Sequence, residues 1–396
     1  MKKLIILETD HNNFYPLTAT RAVKDLFSGC MTFGERISRI FREFEIHYIY
    51  RDSVDFNNEL KKITPDDYFI INSSVTTPGK IITLMSMMGT SKSAFYFNGD
   101  KFIYGFISKN DFDNIEDVLN FRSQFSQNTD AEAYNYLWEI VNDNGSVIEK
   151  DIKLLELEPI IENYKIENVT LVNKSQIFIG KNVNIRAGVI IDASNGSVFI
   201  DDDTEIMHNT VIIGPCYIGK KNKIKIGAKI YENCSFGDVC KIGGELEAAI
   251  FTGYSNKQHD GFLGHAYIGK WCNFGADTNN SDLKNNYRNV QVELHGKLIE
   301  TNSQFAGLFM GDHTKTGINT MFDTGTVVGV GCNVYGEGFP KRNIPSFNWG
   351  GKAKLIKYPL ERILDTSRVV MSRRGIELSE KEIVLLKKLY NGDSQC

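Results

Sequence analysis

From Ile200 to Ile242 every sixth residue is apolar: Ile200, Ile206, Ile212, Ile218, Ile224, Ile230, Phe236 and Ile242. A period of six fits neither the helical repeat near 3.6 nor simple strand alternation. It marks a parallel β-helix built from hexapeptides. Three hexads close one triangular turn, so residues three hexads apart stack. Ile200, Ile218 and Phe236 are expected to form one interior column, and Ile206, Ile224 and Ile242 another. The period extends upstream through Ile179, Ile185 and Ile191, with a loop expected at residues 193–197, where the step to Ile200 lengthens. Downstream, Ile268 and Phe274 resume it, followed by Met310, Thr316, Phe322, Val328 and Val334. The break between Ile242 and Ile268 holds His259 and His265, which makes it the first place to look for chemistry.

The remaining chain reads as two flanking regions. Apolar runs at Lys2–Thr9, His47–Tyr50, Tyr68–Ile71, Ala94–Phe97 and Phe102–Tyr104 read as strands, and 33–44 as a helix with Ile37, Ile40, Phe41 and Phe44 on one face. That alternation implies an α/β layer domain over residues 1–125. Residues 126–164, containing Tyr136-Leu137-Trp138-Glu139-Ile140-Val141, are expected to connect it to a β-helix over 165–338. Residues 339–396 follow as a loop and helices, the last opened by a capping box at Ser379–Glu382. A helical cap is expected because a β-helix end exposes unpaired backbone and an open core.

With 396 residues and a net charge of −4, the chain offers no broad basic face for nucleic acid or anionic lipid. No apolar run approaches membrane-spanning length, and Glu8 arrives too early for a signal peptide, so a cytoplasmic protein is expected. The seven cysteines lack a Cys-x-x-Cys pair and read as small buried thiols.

The stretch Ser255-Asn-Lys257-Gln-His259-Asp-Gly-Phe262-Leu-Gly-His265-Ala-Tyr267-Ile-Gly-Lys-Trp-Cys-Asn273-Phe-Gly-Ala276 resembles the acetyltransferase half of the bifunctional GlmU enzymes. The likeness extends to an alternative GlmU-like family of sugar nucleotidyltransferases through Tyr15-Pro-Leu-Thr-Ala-Thr-Arg21, Ser281-Asp-Leu-Lys284-Asn-Asn-Tyr287 and Gly311-Asp-His313-Thr-Lys315-Thr-Gly317. The resemblance implies a nucleotidyltransferase-like α/β N-terminal domain, a left-handed β-helix, a homotrimer with acyl sites between neighbours, and acetyl-CoA as co-substrate. It also implies nucleoside triphosphate and sugar-1-phosphate substrates of the UDP-N-acetylglucosamine type. By the same match His259 takes the position of the catalytic histidine, while His265 stands where the family carries aspartate. An imidazole there would remove the proton of an attacking amine, that of glucosamine-1-phosphate. Lys257, Tyr267, Asn273, Lys284 and His313 are candidate substrate contacts, and Lys315, Lys341 and Arg342 candidates for the phosphates of coenzyme A.

After the first strand, sugar nucleotidyltransferases carry a glycine-rich loop whose N–H groups cradle phosphates. Here the chain reads Ile6-Leu-Glu-Thr-Asp-His-Asn-Asn13, and its first glycine is Gly29. Arg21 and Lys24 are the candidate phosphate contacts, and Mg²⁺ is expected if nucleotidyl transfer occurs. Two other readings stay open: a catalytically degenerate sugar-nucleotide-binding or scaffold protein, and a zinc β-helix enzyme using His208, His259, His265 and His313. The wide gap from His208 to His259 argues against zinc.

Overall fold

The computed structural model describes residues 2–51, 54, 63–64, 66–111, 126–160 and 166–392. The expected boundary at residue 125 and the expected β-helix start at 165 fall outside the described residues. The chain divides into two units. The first comprises Met1–Phe14, Arg21–Leu26 and Thr32–Tyr136, and the second Tyr15–Thr20, Phe27–Met31 and Leu137–Cys396.

The first unit is a mixed sheet of β1 (Lys2–Leu7), β2 (Phe44–Ile49), β3 (Tyr68–Asn72), β4 (Ala94–Asn98), β5 (Lys101–Ile107) and β6 (Ser126–Asn128), in the order β2-β1-β3-β5-β4-β6. β1 pairs in parallel with both β2 and β3 and is buried on both faces. Leu4 and Ile6 pack with Ile37 and Phe41, whereas Ile5 and Leu7 pack with Ile49, Tyr68 and Ile70. That division follows from the two-residue period of a strand. Helix α1 (Phe33–Ile40) starts at a Thr32/Glu35 capping box and ends four residues before the expected Phe44, which opens β2 instead. α2 is Pro78–Ser86. β4 and β5 pair as a hairpin across Asn98-Gly99-Asp100-Lys101.

In the second unit the hexad register holds. Ile200, Ile218 and Phe236 are Cα partners across parallel strands, as are Ile206, Ile224 and Ile242. All eight hexad residues are at most 1% exposed. The result is a parallel β-helix of about ten turns. The thiols of Cys216, Cys234, Cys240, Cys272 and Cys332 lie in its core, and burial pushes the last four up to about 12.

Helix α3 (Leu137–Leu154) lies along the coils. Its buried Asn144 donates to the Asn233 carbonyl and to Ser235 Oγ, both at 2.9 Å. A Cβ on Gly145 would meet Asn233 Oδ1 at 1.9 Å, so glycine is what lets helix and coil approach. The expected loop at 193–197 is present, and Ser197 Oγ donates to Glu149 on α3 at 2.8 Å.

The end of the solenoid is closed by a strand, and the expected C-terminal helices follow it. Strand Leu355–Lys357 pairs antiparallel with Asn348–Gly350 and covers that sheet's free edge. Helices α4 (Leu360–Ser372) and α5 (Glu380–Asn391) pack on Val330 and Phe347 of the last coils. Between Asn280 and Leu308 the chain leaves the coil for an antiparallel hairpin, Gln291–Leu294 with Lys297–Glu300. Among the described residues no helix is long and apolar enough to cross a membrane.

Candidate functional site

Most corners of the coils turn through one residue in the left-handed region. Asn and Asp adopt that conformation most readily among residues with a side chain. One corner column contains Asn182, Asp203, Lys221, Val239, Tyr254, Trp271 and His313, with φ between 55° and 64°. At three successive coils this position is aromatic. The Tyr254 and Trp271 rings stack at 4.4 Å, and Trp271 lies nearly parallel to His313 at 6.5 Å. His313 is buried, and its Nδ1 is 3.1 Å from Ser367 Oγ of α4.

Beside this aromatic ladder runs an outward-facing ladder on the adjoining face: Lys223, Lys241, Asn256, Asn273 and Lys315 are successive register partners. The two ladders and the end of α4 enclose a cavity of about 320 Å³, lined by Lys241, Tyr254, Asn256, Gln258, Trp271, Cys272, Asn273, Lys315, Val370, Arg373 and Arg374. Four of these side chains are cationic, and no Asp or Glu lines the cavity. Arg374 donates to Asn256 Oδ1 at 2.8 Å. Burial, followed by the charges of Arg374, Lys223, Lys225 and Arg373, lowers the Lys241 ammonium from its ordinary value. Burial also brings Lys315 down to about 8, and its Nζ donates to the His313 carbonyl at 2.8 Å. Unneutralised cations beside a stacked aromatic pair form an environment for a polyanion carrying a flat ring.

The three site histidines stand on three different corners. His259 is exposed, on the corner preceding Gly261. His265, also left-handed at φ 43°, holds Asp282 through Nδ1 at 2.8 Å, and its ring stacks on Phe305 at 4.8 Å. His313 belongs to the cavity corner. Asn273 and Lys315 therefore come together in the cavity, whereas His259 and His265 do not join them within one chain.

Several expected contacts lie elsewhere. Lys257 is the register partner of Ile242, so it occupies an interior position and is only 2% exposed. Its Nζ donates to the carbonyls of His259 at 2.9 Å and Gly243 at 3.3 Å. Tyr267 is fully buried, and its hydroxyl bonds the backbone N–H and carbonyl of Phe27. Lys284 donates to the Asn289 carbonyl within the insertion. Arg342 is bound to Asp323 at 2.6 Å, and Lys341 is exposed; neither lines the cavity.

Burial lowers the Lys257 ammonium to about 8. The unfolded chain, with an ordinary lysine near 10.5, binds its proton more tightly, so stability rises with pH between these values. Relative to Lys257→Met, the wild type should gain up to about 3 kcal/mol between pH 8 and pH 10.5. Urea titrations of both proteins at pH 7.5 and 10 measure this, and equal pH dependence would refute it. Ionising cysteines and tyrosines cancel in the difference.

In the first unit a cavity of about 690 Å³ opens at the end of β1, lined among others by Glu8, Asp10, His11, Asn13, Arg51, Asp100, Lys101 and Asn135. Arg51 pairs with the buried Glu8 at 2.6 Å, and Lys101 lies 3.8 Å from Asp10. Neither Arg21 nor Lys24 lines it. Arg21 is buried and accepts Arg51 on its carbonyl at 3.0 Å, while Lys24 pairs with Asp25 and lies over the Tyr48 and Tyr50 rings. Asp10 and Asp100 supply oxygen donors. Among the described residues no group of three or more His, Cys, Asp or Glu could hold a metal ion, so Mg²⁺ would need substrate phosphates to complete its shell, as is usual for that ion.

Sequence reasoning missed Lys241, Tyr254, Trp271, Asp282, Phe305, Arg373, Arg374, Arg51 and Lys101. The Arg373-Arg374 pair at a helix end was the one local signal. The others become neighbours only through coil register or pocket closure.

Residues 4–159 match the family model for sugar nucleotidyl transferase. The bifunctional protein GlmU of Methanocaldococcus jannaschii is 32% identical over 102 residues, 26% of this chain and 25% of that protein. A bifunctional sugar-1-phosphate nucleotidylyltransferase/acetyltransferase of Sulfurisphaera tokodaii is 29% identical over 151 residues, 38% of each. YaiX, an uncharacterized acetyltransferase of Escherichia coli, is 25% identical over 205 residues, 50% of this chain and 87% of that protein. The chain thus spans well under half the length of the first two of these relatives.

Proposed function

We propose, from the match of residues 4–159 to the sugar nucleotidyl transferase family model, that this chain is a two-site transferase of sugar-nucleotide synthesis. Its solenoid would move an acetyl group from acetyl-CoA to the amine of glucosamine-1-phosphate, and its first unit would move a nucleotidyl group to a sugar-1-phosphate, UDP-N-acetylglucosamine being the product type. The observation that carries the reading is the acid-free cavity of Lys241, Lys315, Arg373 and Arg374 beside the Tyr254–Trp271 stack. Coenzyme A presents phosphates to the cations and adenine to the rings.

In the first unit, Arg51 and Lys101 replace Arg21 and Lys24 as the cations that would meet phosphates. Asp10 and Asp100 are the carboxylates that would hold Mg²⁺, whose chemistry is to offset phosphate charge during transfer. A homotrimer agrees with Ile226 and Ile318, 64% and 73% exposed, which a neighbouring copy would cover.

The test is calorimetric titration of the purified chain with acetyl-CoA and with nucleoside triphosphates plus Mg²⁺, followed by assays of pyrophosphate release and thiol release. Micromolar acetyl-CoA binding and thiol release with glucosamine-1-phosphate support the solenoid half. Pyrophosphate release from a triphosphate and a hexose-1-phosphate supports the other. No binding of acetyl-CoA at millimolar concentration would refute the acyl-transfer reading, and a monomeric mass by sedimentation would refute the trimer.

A further inference from the structure

The insertion between Ser281 and Ala306 does more than interrupt the solenoid, because both of its ends meet His265. Asp282, at its start, lies 2.8 Å from His265 Nδ1, and Phe305, at its end, lies under the imidazole with the ring planes 22° apart. The stem is closed by a bridge between Leu283 and Phe305 and by the Ala306 N–H donating to the Asp282 carbonyl at 3.0 Å. The coil also makes room for the pair. A Cβ on Gly264 would stand 2.2 Å from Asp282 Oδ2, so a side chain before His265 would expel the carboxylate. Asn280 fixes Gly264 from both sides, accepting its N–H and donating to its carbonyl, each at 2.9 Å. His265 and Asp282 remain 15% and 13% exposed. Glu247, beside Gly264 in the register, is the other carboxylate facing the pair.

We propose that His265 is the general base of the solenoid's acyl transfer and that Asp282 is its positioning residue. The proposal rests on the acyl-transfer reading above. A carboxylate on Nδ1 holds that nitrogen as the N–H donor and leaves Nε2 as the proton acceptor. As the acceptor's amine nitrogen bonds to the thioester carbonyl, Nε2 takes the amine proton. The C–S bond then breaks, the coenzyme A thiolate leaves, and the imidazolium returns the proton to it. Atoms and electrons balance without a further reactant. Phe305 holds the ring plane, and Asp282 stabilises the imidazolium formed in the step.

The experiment measures thiol release from acetyl-CoA with glucosamine-1-phosphate. His265→Asn is the first variant, since asparagine tolerates the left-handed corner and cannot act as a base. Its kcat should fall about 10²–10⁴-fold while acetyl-CoA affinity by calorimetry stays within about threefold. Asp282→Asn keeps the shape but removes the charge. It should lower kcat about 10–100-fold while acetyl-CoA affinity and the KM for glucosamine-1-phosphate stay within about threefold, and Asp282→Glu, which keeps the charge, should recover part of the loss. A merely structural Asp282 would change KM and affinity along with kcat, and Asp282→Glu would recover nothing.

Full activity in His265→Asn, or loss of activity in His259→Asn in its place, overturns the assignment while leaving acyl transfer intact. A kcat for Asp282→Asn within about threefold of wild type, or a loss that Asp282→Glu does not lessen, overturns the positioning role. A wild type that binds no acetyl-CoA and releases no thiol overturns both this proposal and the reading beneath it.

Discussion

Arg374→Glu combined with Lys315→Gln weakens acetyl-CoA binding about 10²- to 10⁴-fold in calorimetric titration. Both cations line a cavity without Asp or Glu, so the removed charge has no substitute beyond Lys241 and Arg373. A charge-assisted hydrogen bond to a phosphate contributes about 1.5–3 kcal/mol, and two such losses with one reversed sign correspond to that range of Kd. Two controls separate charge from shape. Wild-type affinity should fall with added salt more steeply than that of the double variant, because screening acts on the removed charges. It should also fall as pH rises beyond about 8, where the free Lys315 ammonium releases its proton. Bound phosphate favours the charged form and delays that loss to higher pH. Affinity within threefold of wild type would show that the cavity does not hold the coenzyme.

Phe236→Ala destabilises the solenoid by about 3–5 kcal/mol, read as a shift of the urea midpoint at constant slope. Phe236 is fully buried, with Ile218 as its partner in one coil and Phe251 in the next, and the two phenyl rings meet edge-on at 5.7 Å. Truncation removes the transfer term and that ring contact, and leaves a void between stacked coils that parallel strands cannot close without losing register. A loss under 1 kcal/mol would mean that the core collapses around the gap. It would also remove the basis for treating the hexad columns as the fold's main stabilising element.

Those columns were legible because the information is local and translational. Each Ile of the run makes the same step to its successor, so one sequence period predicts every interior neighbour from Ile200 to Ile242. The loop at 193–197 was equally readable, since a lengthened step must bulge at a corner. The helices expected within residues 339–396 likewise became α4 and α5.

Beyond Ile242 the spacing changes, and the same reasoning no longer places side chains. Lys257 stands close to His259 in the sequence, yet the shorter step from Ile242 turns it into the core, where two carbonyls hold its ammonium. Tyr267 sits in the same motif, and its hydroxyl is taken by the backbone of Phe27, a partner from the far end of the chain. His265 is near His259 in sequence but on a different corner, and its partners Asp282 and Phe305 come from the two ends of an insertion. The hexad period fixes the solenoid and its interior columns without any long-range information, because every coil repeats its neighbour. Which side chains share a corner, a cavity or a proton is decided only when coils of unequal length stack, since each added or lost residue shifts every later position relative to the coil before it.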